Sequence, residues 1–133
     1  MQPQRPRELG IDHVAVGTLE DTTYVFATAD FGFADLLDGN NLQNTLPAEI
    51  GNIAGLQRLL LANNNLQGPL PKELGRLTAL TELNLSRNPQ LSGPIPDSLQ
   101  LLTGLTGLYV NQTDLSGPIP AWLGNLTALK FLN

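Results

Sequence analysis

A chain of 133 residues with twelve acidic and seven basic side chains carries a net charge of −5, and its charged fraction of 14% lies well below the roughly 25% of an average globular sequence. Cysteine is absent, which excludes a disulfide framework and a thiolate metal centre, and no run approaches the ~18 apolar residues of a membrane span, which excludes direct membrane insertion. Residues 1–38 hold seven acids against Arg5 and Arg7, whereas residues 39–133 hold five of each sign, so the larger part is neutral, has no basic stripe and is not a nucleic-acid partner.

Residues 1–35 form a non-repeat segment. Residues 1–10 are polar, contain two prolines and begin Met1-Gln-Pro-Gln-Arg-Pro-Arg without the apolar stretch of a secretory signal. Ile11–Gly17 and Thr22–Thr28 are rich in β-branched and aromatic residues and are separated by Thr18-Leu-Glu-Asp21, which predicts a β-hairpin over 11–28. Its expected job is to cap the apolar end of the first coil, because stacked repeats leave an exposed end face. His13, the sole histidine, falls in this hairpin with no cysteine or second histidine to complete a metal set, and reads as a structural or exposed side chain.

From about residue 36 to 133 one phrase recurs: Asn44-Thr-Leu-Pro-Ala-Glu-Ile-Gly51, Gly68-Pro-Leu-Pro-Lys-Glu-Leu-Gly75, Gly93-Pro-Ile-Pro-Asp-Ser-Leu-Gln100 and Gly117-Pro-Ile-Pro-Ala-Trp-Leu-Gly124. Pro47, Pro71, Pro96 and Pro120 are spaced by 24, 25 and 24 residues. A fixed period of this size means one structural unit stacked on copies of itself, here about four coils and the start of a fifth at Leu129. Leu59 and Leu61, Leu83 and Leu85, and Leu108 and Val110 alternate with mostly polar neighbours, as in a short strand with one buried face, and such strands stack in parallel about 4.8 Å apart. Asn40, Asn64 and Asn88 follow the strands in equivalent places, with Thr113 in the next. An amide carries both donor and acceptor, so these form a structural ladder that satisfies the buried bend and links coils. Gly68, Gly93 and Gly117 mark a tight bend. The prolines suit the first position of a one-turn helix, and Gly51, Gly75 and Gly124 its end. The extra residue of the 25-residue coil lies at Pro89-Gln90 and should bulge outward.

These residues resemble the plant-type class of the leucine-rich repeat superfamily, whose pattern is Leu-x-x-Leu-x-Leu-x-x-Asn-x-Leu-x-Gly-x-Ile-Pro-x-x-Leu-Gly-x-Leu-x-x. Leu56–Ala79 matches it almost position for position, with Leu70 for Ile. The resemblance spans roughly residues 36–133 and departs at Asp35 for a strand Leu, Gln100 for Gly, Thr113 for Asn, and in lacking the paired cap cysteines. It implies an α/β repeat: a right-handed solenoid with short parallel strands on the concave face, 3₁₀ or one-turn helices on the convex side and a β-rich N-terminal cap. Similar proteins are receptor-kinase ectodomains, inhibitors of polysaccharide-degrading enzymes such as the polygalacturonase inhibitors, and defence proteins. All of them use the array to bind. The kinase and span of the receptors have no counterpart in this sequence. The resemblance places an excerpt of a family-typical ectodomain at the cell surface or outside it, whereas a complete chain without a signal would be intracellular.

In such an array the residues between the buried ones point to the concave surface. Three rows result: Arg58, Glu82, Gly107 and Phe131; Leu60, Asn84, Tyr109 and Asn133; and Ala62, Ser86 and Asn111, flanked by Asn63, Arg87 and Gln112. The first row sets opposite charges on adjacent strands. Leu60 and Tyr109 are expected to be exposed apolar groups, and tyrosine is a common hot-spot residue. The expected partner-binding set is Arg58, Leu60, Glu82, Asn84, Arg87, Tyr109, Asn111 and Gln112, for a protein or peptide. Asn84, Asn111 and Asn125 head N-x-Ser/Thr sequons, candidate glycosylation sites in a secretory pathway and otherwise ordinary repeat residues.

No catalytic arrangement accompanies these features. No nucleophile-elbow sequence is present, the recurrence of Glu49 and Glu73 follows the repeat, and Gly93-Pro and Gly117-Pro lack the N–H donors of a phosphate cradle. The expectation is a non-enzymatic binding module without cofactor. Leu129, Phe131 and Leu132 start a strand with an open edge, the mark of a longer array or of self-association through residues 129–133. A structural stacking element is the rival to recognition.

Overall fold

The computed structural model describes residues 13–19, 22–28, 43–53 and 55–133. Strands β1 (His13–Leu19) and β2 (Thr22–Thr28) pair antiparallel with Leu19 opposite Thr22. Two residues separate them rather than the expected four, because Thr18 and Leu19 are strand-compatible and pairing continues to the shortest closure. β1 comes into contact with the first short helix of the repeats. The remainder of segment 1–35, the Asp35 position and Asn40 lie outside the described residues.

Each coil then contributes a strand, a second strand and a 3₁₀ helix. The order is β3 (Gln43–Asn44), η1 (Ala48–Asn52), β4 (Arg58–Leu60), β5 (Asn65–Gly68), η2 (Lys72–Arg76), β6 (Glu82–Asn84), β7 (Asn88–Pro94), η3 (Asp97–Leu101), β8 (Gly107–Tyr109), β9 (Thr113–Ser116), η4 (Ala121–Asn125) and β10 (Phe131–Leu132). Strands β4, β6, β8 and β10 form one parallel sheet in register, Arg58 beside Glu82 beside Gly107 beside Phe131. Hydrogen bonding runs past the strand ends: Leu61 N–H donates to Asn84 O at 2.8 Å and Leu85 N–H to Tyr109 O at 2.8 Å. Parallel strands, short helices and constant register make this an α/β repeat solenoid.

A second parallel sheet, β3-β5-β7-β9, runs along the flank. Sequence reading treated this stretch only as a bend. Leu66 and Leu91 are fully buried here while Asn65, Gln67 and Gln90 face out. In β7 the register shifts between Asn88 and Ser92, with Pro89 and Gln90 exposed, so the extra residue is accommodated as an outward bulge.

The core is a spine of leucines. Leu59, Leu61, Leu66, Leu74 and Leu77 are fully buried in one coil, and Leu80, Leu83, Leu85, Leu91 and Leu102 in the next. Each buried side chain stabilises the array by about 1.5–3 kcal/mol. On the convex side two expectations shift by position. Pro47, Pro71, Pro96 and Pro120 stand at the N-cap, with φ between −76° and −62° and extended ψ, rather than inside the helix. Their carbonyls accept the first helical bonds, from Ile50, Leu74, Leu99 and Leu123 N–H. Gly51, Gly75 and Gly124 lie within the helices, which end one residue later and are followed by the C-caps Ile53, Leu77 and Leu126. The reason for glycine is close approach. A Cβ on Gly51 would stand 2.5 Å from Glu73 O, and one on Gly75 2.5 Å from Ser98 O, so adjacent coils touch backbone to backbone there.

At the third joint Gln100 takes the glycine's place, and its real Cβ holds the coils further apart. Helices η3 and η4 accordingly touch less extensively than the preceding pairs. The Trp122 indole fills this joint: it is 9% exposed, joins the leucine core, and donates Nε1–H to Asp97 Oδ1 at 3.0 Å.

Candidate functional site

The amide positions sit behind the concave sheet. Asn88 is fully buried. Its Nδ2 donates to Leu85 O (2.9 Å) and Ser86 O (3.3 Å) in its own coil and to Leu61 O (2.9 Å) in the preceding one, while its Oδ1 accepts from Leu66 N–H at 3.1 Å. Asn64 donates to Leu61 O and Ala62 O at 3.0 and 3.2 Å. Thr113 donates its hydroxyl to Val110 O at 2.6 Å. That is the counterpart of Asn88's bond to Leu85, on a stem too short for the amide's other three.

On the concave surface the first row begins with an ion pair, Arg58 Nε donating to Glu82 Oε2 at 2.9 Å with both side chains about one third exposed. At that exposure the pair is worth about 0–1 kcal/mol. Gly107 follows. The Tyr109 ring folds over it, its Cε2 standing 2.9 Å from where a Cβ on Gly107 would be. Phe131 closes the row, 59% exposed.

The second row departs from expectation at Leu60, which is buried, 9% exposed. Side chains of one row stand about 4.8 Å apart and shield one another, and a branched apolar group inside the row loses most of its surface that way. Leu60 therefore packs and offers little to a partner. Asn84 is half-buried and its Oδ1 is taken up by Ser86, accepting from N–H at 3.1 Å and Oγ–H at 2.7 Å. Tyr109 is half-buried, its lower side on Gly107. In the third row Ala62 and Ser86 are buried and only Asn111, half-buried, reaches the surface.

Beside that row runs a ridge that sequence reading did not characterise. Asn63, Arg87 and Gln112 are exposed and share a left-handed backbone, φ 57°, 58° and 57°. Arg87 Nη1 donates to Asn63 Oδ1 at 3.4 Å across the coils. Asparagine tolerates this conformation; arginine and glutamine adopt it only where neighbouring bonds hold it, as Arg87 N–H to Asn111 O does at 2.9 Å. Nothing in an Arg or Gln side chain announces a left-handed backbone, so only equivalence to Asn63 in the repeat could have signalled it.

The concave face thus brings Arg58, Glu82, Arg87, Tyr109, Asn111 and Gln112 to one accessible surface and withdraws Leu60. Of the sequons, Asn84 and Asn111 are half-buried on this face, and Asn125 is exposed at the end of η4. Among the described residues no group of three or more His, Cys, Asp or Glu gathers as a metal site, and no helix is long and apolar enough to cross a membrane.

The family model described as Leucine Rich Repeat matches residues 55–77 and 79–102. No curated protein matches the chain. Among solved structures, it is similar to the ectodomain of the plant membrane receptor kinase GASSHO1/SCHENGEN3 from Arabidopsis thaliana in complex with CASPARIAN STRIP INTEGRITY FACTOR 2, at 40% identity and TM-score 0.69, covering 71% of this chain and 11% of that one. The BIR2 ectodomain from Arabidopsis thaliana is 34% identical, TM-score 0.68, over 71% of this chain and 50% of its own.

This chain is a leucine-rich repeat protein of the plant type.

A plant peptide hormone receptor, RGFR1 in complex with RGF2, also matches this leucine-rich repeat protein, at 30% identity and TM-score 0.52 over 72% of this chain and 19% of that one. The leucine-rich repeat chain therefore spans half or less of the length of each of these relatives.

Proposed function

We propose that this leucine-rich repeat array is a non-catalytic recognition module whose concave face binds a protein or peptide. The observation that carries the reading is the gathering of Arg58, Glu82, Arg87, Tyr109 and Gln112, from three successive coils, on one surface of a sheet whose own backbone is already paired. Side chains on a rigid, pre-ordered wall lose little freedom on binding. Support also comes from two similar receptors solved with a partner bound, one of them named a peptide hormone receptor. The test is an exchange footprint: amides 107–112 should be protected when a captured partner binds, and Tyr109→Ala with Arg87→Ala should weaken it at least tenfold. A footprint confined to the convex helices would overturn the reading.

A second reading, end-to-end self-association through residues 129–133, is favoured by an apolar groove of about 350 Å³ at the last coil, lined by Val110, Leu115, Ile119, Leu123 and Leu132 among others. Ile119 is 84% exposed there. Light scattering over a concentration series tests it, and a monomer throughout removes it.

A further inference from the structure

We infer that Tyr109, laid over Gly107, is a stacking platform for a proline ring of an extended peptide; this rests on the peptide-binding reading of the concave face. The ring occupies the space a side chain at 107 would fill, its Cε2 2.9 Å and Oη 3.4 Å from that Cβ position. Gly107 thus acts as a floor that lays the ring along the sheet instead of letting it stand upright. On the next strand Phe131, beside Gly107 in register and 59% exposed, extends the apolar patch.

Three features narrow what this patch accepts. The first is the state of the backbone. Strands β6 and β8 are each paired on both sides, so the face has no free ladder to offer a peptide main chain. A ligand that loses its backbone's water here gains no bond in return. An extended polyproline-type segment avoids that cost, because its backbone stays solvated and its shape is pre-set. The second is charge. Glu82 and Arg58 neutralise one another at 2.9 Å beside the ring, which selects neither a cation nor an anion at the platform. The third is the supply of flanking polar groups. A sugar ring would also stack, but it needs donors and acceptors around its rim, and the acceptor in register with Tyr109 on the neighbouring strand, Asn84 Oδ1, already accepts from Ser86 N–H and Oγ–H. A neutral, saturated ring with few hydrogen-bonding needs fits all three.

The experiment selects a random dodecapeptide library on the immobilised chain, then maps the winning peptides by amide shifts and measures their affinity for Tyr109→Ala, Tyr109→Phe and Gly107→Ala. Cellohexaose is titrated in parallel. The expected result is enrichment of proline, shifts centred on Glu82, Gly107 and Tyr109, binding about three- to tenfold weaker for Tyr109→Ala, and retention by Tyr109→Phe. Gly107→Ala, which keeps the ring but lifts it, should also weaken binding. Peptides that map to the concave face without proline, or that ignore Tyr109→Ala, overturn the platform and leave the binding face standing. Peptides that map elsewhere, or no selected peptide at all, overturn both. Shifts at Tyr109 with cellohexaose and none with peptide assign the platform to a carbohydrate instead.

Discussion

Asn88 uses every hydrogen-bonding group of its side chain, and none of its four bonds can be replaced by water in a site with no exposure. Asn88→Ala should therefore cost about 2–4 kcal/mol in urea unfolding, the loss of several bonds plus a buried Leu66 N–H left without its acceptor. Thr113→Asn restores the longer amide one coil on and is expected to gain up to about 1 kcal/mol in the same assay. The left-handed ridge gives an effect of opposite origin. Gln112 adopts φ 57° at a conformational cost of roughly 1–2 kcal/mol, part of which glycine returns through a more flexible unfolded chain, so Gln112→Gly should raise stability by about 0.5–1 kcal/mol. A lower denaturation midpoint for Gln112→Gly would show that this side chain holds contacts of its own.

Among the elements, the repeat made strands and helices legible because each consequence of the spacing recurs: leucines at period two, a proline where a one-turn helix starts, one phrase four times over. What escaped reading is set between coils rather than within one. The flank sheet around Leu66 and Leu91 is too short to show its alternation, and the burial of Leu60 depends on what stands beside it in its row, on the neighbouring strands. The roles of Gly51 and Gly75 belong to the same class. From one coil they look like helix ends, whereas across two coils they are points where backbones meet. Gly75→Ala should cost about 1–3 kcal/mol, because the added methyl falls 2.5–2.6 Å from Ser98 atoms that include backbone. Gly124→Ala, with nothing within 4 Å, should leave the midpoint of this chain unchanged or slightly raised. Equal losses at the two sites would point to helix conformation rather than contact.

At the scale of the molecule, stability is a sum over coils and their joints. Leu83→Ala, in a fully buried position of a central coil, should remove about 3–4 kcal/mol. Native-state hydrogen exchange should grade along the stack, with Leu61 and Leu85 N–H, bonded into the interior sheet, exchanging slowest and Val110 N–H, bonded to the last residue, fastest of the three. Uniform rates would mean that the coils open together.

The joint at Gln100 gives the arc an uneven radius. Two joints let their outer walls close until main chains meet, while the third is wedged apart by a side chain and grouted with an indole. Since rungs on the inner wall keep one spacing throughout, a wider outer gap means a sharper turn at that place, as a thicker voussoir sharpens an arch. The turn falls between the coil bearing Glu82 and the coil bearing Tyr109, so a substitution on the back of the array, Gln100→Gly, would flatten the hollow in front of it.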